Sequence, residues 1–533
     1  MSDAFLDLAI ECIRRRGARL LQKSKHDVST RGEGRHLIPR SGRSESQRCG
    51  PDSEAGASEQ YRLHVQIRRP ELSMTKTVRN PYLEGNFAPV PDEVSVNDLP
   101  VTGTLPPELT GRYLRIGPNP TGPVETGAAH HWFVGRGMVH GVRLRDGRAE
   151  WYRNRFVQGD APEDVPNTNI LAQGGRLLAL VEGGGAPVSV APDLDRMSTW
   201  DADGALRAGF TAHPRIDPVT GEMHAVNYLI RPGADALRYV VLDATGKATH
   251  TAELPVPGVP MIHDMAMTAT RIVVLDLPVT LSTDAAGRMA AGKPESGDAL
   301  PMRWNEEHPS RVGVLPRMGT AEQIRWFDAP RCYVFHVLNA YDTPDGSIVM
   351  DVIRYDTVFR DVFRGPADGL PALARWTIPA SRGAVSEQII SDYSVEWPRI
   401  NHAWSGRSHR YGWFGGIGPH SLRLSDDVER DRGGSFEPGP LVKLDTTTGE
   451  VLVHHFGAGR VTQEPVFVAR PGAEAEDDGW ILSVVYDGGT RRSELVVLDA
   501  ADVEAPPVAR VHLPRRVPFG FHGNWIADAE ISA

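Results

Sequence analysis

From about Tyr82 onward, short apolar runs bounded by turn residues repeat along the chain. Segments 176–181, 271–275, 480–486 and 494–498 are typical: rich in Val, Ile, Leu and aromatics, and too short for an amphipathic helix. Runs of that length and composition predict β-strands. Asp-Gly pairs at 146–147, 203–204, 345–346, 368–369, 478–479 and 487–488 supply turns. A second turn style recurs in Asp217-Pro-Val-Thr-Gly-Glu, Asp243-Ala-Thr-Gly-Lys and Asp445-Thr-Thr-Thr-Gly-Glu. Similar hairpins over about 450 residues predict an all-β propeller, with four-stranded blades around a central channel. The period is too blurred to count blades. Segments 279–322 and 376–394 lack the strand pattern and are expected to be loops over one face, with short helices.

Residues 1–80 follow different rules. They hold 16 Lys and Arg against 10 Asp and Glu, a balance of +6 within a chain of net charge −10, which leaves −16 for the remainder. Phe5, Leu8, Ala9, Cys12, Ile13 and Leu20 have helical spacing, but 30–60 is dominated by Ser, Gly, Arg and Glu. Such a composition cannot bury enough surface to offset chain entropy. The expectation is a disordered extension over 1–80, with Met74 as an alternative first residue, ahead of a propeller domain over 81–533. A membrane-surface or partner-binding tail is the competing reading.

The acidic balance gives no reason to expect nucleic acid as a partner. Cys12, Cys49 and Cys332 cannot form a disulfide framework or a C-x-x-C metal pair, which points to a reducing, cytoplasmic setting. No apolar run reaches the roughly 18 residues needed to span a bilayer. Charges at Asp3, Asp7, Glu11 and 14–16 interrupt any secretory apolar region.

Four histidines stand at the edges of apolar or turn-bounded stretches: His213, His263, His336 and His522. Neutral imidazoles suit iron, copper, zinc and nickel, yet these four are far apart in sequence. Only a large fold could bring them together, and a propeller does so because inner strands of different blades approach one axis. Four imidazoles carry no charge, so carboxylates behind them would compensate and orient. Glu182, Glu396 and Glu464 end or enter apolar strands. A carboxylate there is either paired or at a solvated strand end.

The chain resembles the carotenoid cleavage oxygenases, which include apocarotenoid oxygenases, lignostilbene dioxygenases and the retinoid isomerohydrolase. The resemblance rests on Gly111-Arg-Tyr-Leu-Arg-Ile-Gly-Pro-Asn-Pro, His131-Trp-Phe through Gly137-Met-Val-His, Asn167-Thr-Asn and Ala179-Leu-Val-Glu-Gly-Gly. It continues through Phe210-Thr-Ala-His-Pro, Ile262-His-Asp, Phe335-His-Val-Leu-Asn-Ala-Tyr, Glu396-Trp-Pro-Arg-Ile-Asn, the stretch from Glu464-Pro to Glu476-Asp-Asp-Gly-Trp, and Pro518-Phe-Gly-Phe-His-Gly. These words keep the family's order over roughly 82–530. The resemblance implies a seven-bladed propeller with Fe(II) on its axis, held by His213, His263, His336 and His522. It implies Glu182, Glu396 and Glu464 hydrogen-bonded to three of those ligands. It also implies a reaction in which dioxygen adds across a conjugated double bond to give two carbonyl products. One departure is Val134-Gly-Arg-Gly, where relatives carry Asp-Gly-Asp-Gly.

Stilbene-cleaving relatives resemble one another in a lysine before the first glutamate and a tyrosine upstream, which engage a phenol. Here Val181 and Phe156 take those places. The expected substrate is therefore an apolar polyene, a carotenoid or apocarotenoid. Stilbene cleavage, an iron-dependent isomerase and a non-catalytic binding module are the alternatives. An apolar patch at a tunnel mouth, giving peripheral membrane contact, is the accompanying hypothesis. His130, His131 and His140 are expected to pack or hydrogen-bond, and His402, His409, His454 and His455 to lie at the surface or at strand edges.

Overall fold

The computed structural model describes residues 80–121, 130–206, 209–295, 298, 300–360, 368–417 and 438–531. The expectations for 1–79 lie outside the described residues.

The described residues form a seven-bladed β-propeller of antiparallel sheets. Asn169–Gln173, Arg176–Leu180, Val188–Val190 and Met197–Thr199 make one blade. The next four blades begin at Arg215–Ile216, Met265–Met267, Tyr333–Asp342 and Val395–Arg399, each with four strands. The last two blades close the ring. In one, Gly523–Ala527 from the C-terminal end pairs with Gly111–Pro118 from the N-terminal side. In the other, Val101–Gly103 pairs with Ala509–His512. First strands of successive blades pack beside one another, so these strands ring the axis.

The turns show why the chain folds this way. Asp146 and Gly147 both have positive φ (50° and 70°), the primed geometry that suits twisted strands. In the second style the aspartate closes its own turn. Asp217 Oδ1 accepts N–H from Val219 and Thr220, Asp243 Oδ1 from Thr245 and Lys247, and Asp445 Oδ1 from Thr447 and Thr448.

Two loop expectations need correction. Ser386–Ser391 is the outer strand of a blade, and Arg311–Pro316 is an interior one. The first is mostly exposed on both faces, so it lacks the alternation that marks a half-buried strand. Within 279–322 there is also a small sheet, Val279–Leu281 with Met302–Trp304, and a helix, Thr283–Ala290, capped by the Ser282 side chain.

Apolar clusters between blades hold the ring. Tyr113, Val142 and Tyr152 pack against Leu482, Val484 and Leu495. Leu114, Ile116 and Ile526 pack against Ile170 and Leu177. Ile526, on the closing strand, is buried, whereas Ile389 is 45% exposed on an outer strand. Ile526→Ala should therefore cost about 2–5 kcal/mol, and Ile389→Ala less than about 0.5 kcal/mol. Thermal unfolding checks this; equal melting temperatures for the two variants would contradict closure through that strand.

Candidate metal centre

Four blade-entry positions meet on the axis. His213, His263 and His522 each come just before an inner strand, at Arg215, Met265 and Gly523. His336 lies inside Tyr333–Asp342, where the pairing register slips between Val334 and Val337. Such an irregularity re-aims a side chain. The ring centroids of His213 lie 4.5, 5.2 and 4.6 Å from those of His263, His336 and His522. Nε2 of His263 and Nε2 of His336 are 3.3 Å apart. Donor atoms of His213, His336 and His522 all lie within 4.8 Å of one another.

Carboxylates decide which way these rings present their lone pairs. His336 Nδ1 contacts Glu396 Oε2 at 2.6 Å, and His522 Nδ1 contacts Glu464 Oε1 at 2.9 Å. His263 Nδ1 lies 2.6 Å from Glu182 Oε1, a close but poorly directed approach. With Nδ1–H given to a carboxylate, Nε2 of a neutral imidazole is an acceptor. Two such lone pairs facing each other at 3.3 Å must share a proton or a cation. His213 strengthens the case. Its Nε2 is buried without a hydrogen-bond partner among the described residues, 3.4 Å from Glu182 Oε1. Metal–nitrogen bonds of about 2.1 Å place adjacent donors about 3 Å apart, so the set fits one cation.

Each carboxylate is pinned a second time. Tyr228 donates its hydroxyl to Glu182 Oε2 at 2.7 Å, and Tyr355 donates to Glu396 Oε1 at 3.0 Å. Glu464 accepts Arg399 Nε at 3.0 Å and the Gly523 N–H at 2.7 Å. Burial alone would raise all three carboxyls. The adjacent histidines hold Glu182 and Glu396 below the usual carboxylate range, and Arg399 with His522 does so for Glu464. Burial pushes His213 well below the usual imidazole range and lowers His522, which keeps both neutral as ligands must be. At His336 the Glu396 charge outweighs burial, and the shift is upward. The backbone is distorted here too. Trp397 has φ +52° and gives its N–H to Glu396 Oε2 at 2.5 Å, in a strand whose register slips after Glu396. Left-handed backbone at a bulky residue costs about 1–3 kcal/mol.

His263, His336 and His522 form one wall of a cavity with about 730 Å³ of empty space, part of it open to solvent. Trp132, Phe133, Phe335, Phe359, Trp397 and Phe521 line it, with Met261, Leu300 and Met302. Leu300 and Met302 come from the insertion that includes the Thr283–Ala290 helix. Thr168 and Tyr355 supply hydroxyls, and the two carboxylates present, Glu182 and Glu396, already face histidines.

All seven residues singled out in the sequence converge here. Tyr228, Tyr355 and Arg399 were missed. Arg399 lies within the Glu396 motif, but nothing in the spacing marks the tyrosines. Val181 and Phe156 do not line the cavity, so their identities alone do not decide for or against a phenol. The exposed large apolar residues among those described, Val219, Met318 and Ile389, do not line it either. Burial lowers His131 and His140 to about 3, and His140 pairs with the Tyr152 hydroxyl at 2.8 Å, as packing roles require. His409 is a correction, since it is buried beside Asp351; His454 ends the outer strand Val451–His454 as expected, with its ring turned in to the Val503 carbonyl. Each replaces water with an internal partner, which local sequence does not reveal.

Comparison with known proteins agrees with this geometry. The family model described as retinal pigment epithelial membrane protein matches residues 87–527. A carotenoid cleavage oxygenase of Mycobacterium tuberculosis is 41% identical over 500 residues, covering 84% of this chain and 97% of its own. A carotenoid 9,10(9',10')-cleavage dioxygenase of Arabidopsis thaliana is 31% identical, covering 84% and 90%. The crystal structure of Pseudomonas brassicacearum lignostilbene dioxygenase superposes with a TM-score of 0.73 at 29% identity, over 84% of this chain and 98% of that one. The chain belongs to the carotenoid cleavage oxygenase family of oxidoreductases.

Proposed function

We propose that the protein is a non-haem Fe(II) dioxygenase that cleaves a conjugated carbon–carbon double bond of a carotenoid or apocarotenoid. The observation that carries this reading is a cluster of four imidazoles, three of them backed by carboxylates and lining an aromatic cavity. In the overall reaction the carbon–carbon double bond breaks and each carbon receives one atom of dioxygen. Two carbonyl products form and no external reductant is consumed. Iron(II) held by His213, His263, His336 and His522 would supply the activation of dioxygen.

The chain's own residues do the rest. Glu182, Glu396 and Glu464 fix the imidazole rings and balance charge on the ion. Trp132, Phe133, Phe335, Phe359 and Phe521 offer flat apolar faces to a polyene and exclude water from the reacting bond. Among the described residues the carboxylates at the cavity, Glu182 and Glu396, already face histidines, which leaves no free charged group there to hold a phenol. That favours a polyene over a stilbene. The fold likeness to a lignostilbene dioxygenase, and the Thr168 and Tyr355 hydroxyls at the wall, support stilbene cleavage as the second reading. No helix among the described residues is long and apolar enough to cross a membrane. A polyene substrate supports peripheral contact with lipid.

Metal analysis after anaerobic loading should find iron near one equivalent per chain. His336→Ala should lose most of it, and Glu396→Gln should lower iron affinity by about 10–100-fold. Wild-type protein that takes up no iron would contradict the metal reading. Incubation of carotenoids, apocarotenals and stilbenes with ¹⁸O₂ should give labelled carbonyls from the polyenes, read by mass spectrometry before exchange with water. Turnover of stilbenes alone would select the second reading. An unlabelled, rearranged but uncleaved product would select isomerisation.

A further inference from the structure

The three carboxylates behind the histidines are not equivalent. Glu182 and Glu396 each give one oxygen to a histidine Nδ1 and the other to a neutral tyrosine hydroxyl. Among the described residues Glu464 has no tyrosine as a hydrogen-bond partner. The oxygen that faces His522 Nδ1 at 2.9 Å, Oε1, also accepts Arg399 Nε at 3.0 Å. A guanidinium stays protonated throughout the range proteins tolerate, so this sharing is permanent. Arg399 is itself anchored to the two residues that follow His522. Nη2 donates to the Gly523 carbonyl at 2.6 Å, and Nη1 to Asn524 Oδ1 at 3.2 Å. Arg115, buried on the closing blade, adds a second positive charge in the same neighbourhood.

A carboxylate hydrogen-bonded to a ligating imidazole raises the basicity of that ligand. A more basic ligand set favours the higher oxidation state of a bound ion, and a nearby positive charge opposes it. We propose that Arg399 is a positioning residue that holds the iron in its divalent state, by withdrawing Glu464 charge from His522. This rests on the iron reading above. Arg399 also ties Glu464 to the backbone after His522, so one side chain sets both where that imidazole points and how strongly it donates.

The test is a redox titration of anaerobically loaded wild type, Arg399→Gln and Arg399→Lys, with iron content measured first. Each ferrous ion passes one electron to a mediator and becomes ferric. Arg399→Gln should move the ferric-to-ferrous ratio at the wild-type midpoint toward ferric, on the order of tenfold. Its high-spin ferric signal in electron paramagnetic resonance should grow on exposure to air. Arg399→Lys keeps the charge and should stay near wild type. Arg399→Gln with full iron and an unchanged midpoint overturns the proposal. Equal iron loss in both variants, with wild-type midpoints for the iron retained, also overturns it, because that is a purely structural role. If Arg399→Gln does not fold, Asn524→Asp leaves Arg399 in place beside a competing carboxylate. It should shift the ratio the same way, and an unchanged ratio overturns the proposal. An iron-free wild type would overturn the metal reading and this inference with it.

Discussion

The contact on which the site depends is the one between Nδ1 of His263, His336 and His522 and the carboxylate behind each ring. At His336 and His522 these are direct hydrogen bonds, and at His263 a close contact of 2.6 Å. They fix the tautomer, and the tautomer turns the Nε2 lone pairs toward a common point. Without a cation the two Nε2 atoms of His263 and His336 must share a proton, and His213 Nε2 has no hydrogen-bond partner among the described residues. With a divalent cation the same arrangement becomes complementary. The carboxylates then supply the negative charge that four neutral imidazoles lack.

The propeller makes this arrangement accessible to residues spread over more than 300 positions. Each blade brings its inner strand to the axis, and the interblade apolar clusters keep those strands in register. The site departs from regular strand geometry where chemistry needs it. The register slips at His336 and after Glu396, and Trp397 adopts a left-handed conformation beside its glutamate. Irregular backbone of this kind survives when well-formed sheets surround it.

Much of this was legible in the sequence, for reasons that differ by element. Strands such as Gly479–Asp487 and Arg492–Asp499 announced themselves, because a buried strand flanked by Asp-Gly or Asx turns has a local signature. Ser386–Ser391 did not, since an outer strand exposed on both faces has no alternation to read. Blade number came from the resemblance, not from periodicity. The seven axial residues were found through their motifs. The groups that pin the carboxylates were not, because Tyr228, Tyr355 and Arg399 act across blades and hydrogen-bond pairing between distant strands leaves no local trace. His409 misled for the same reason: its internal neighbour, Asp351, is far away in sequence.

The most direct measurement is X-ray diffraction from iron-loaded crystals, collected on both sides of the iron absorption edge. One anomalous peak per chain is predicted, bounded by Nε2 of His213, His263, His336 and His522, with Nδ1 of the last three turned to their glutamates. A peak elsewhere, or iron-loaded crystals with no peak among these rings, would contradict the account.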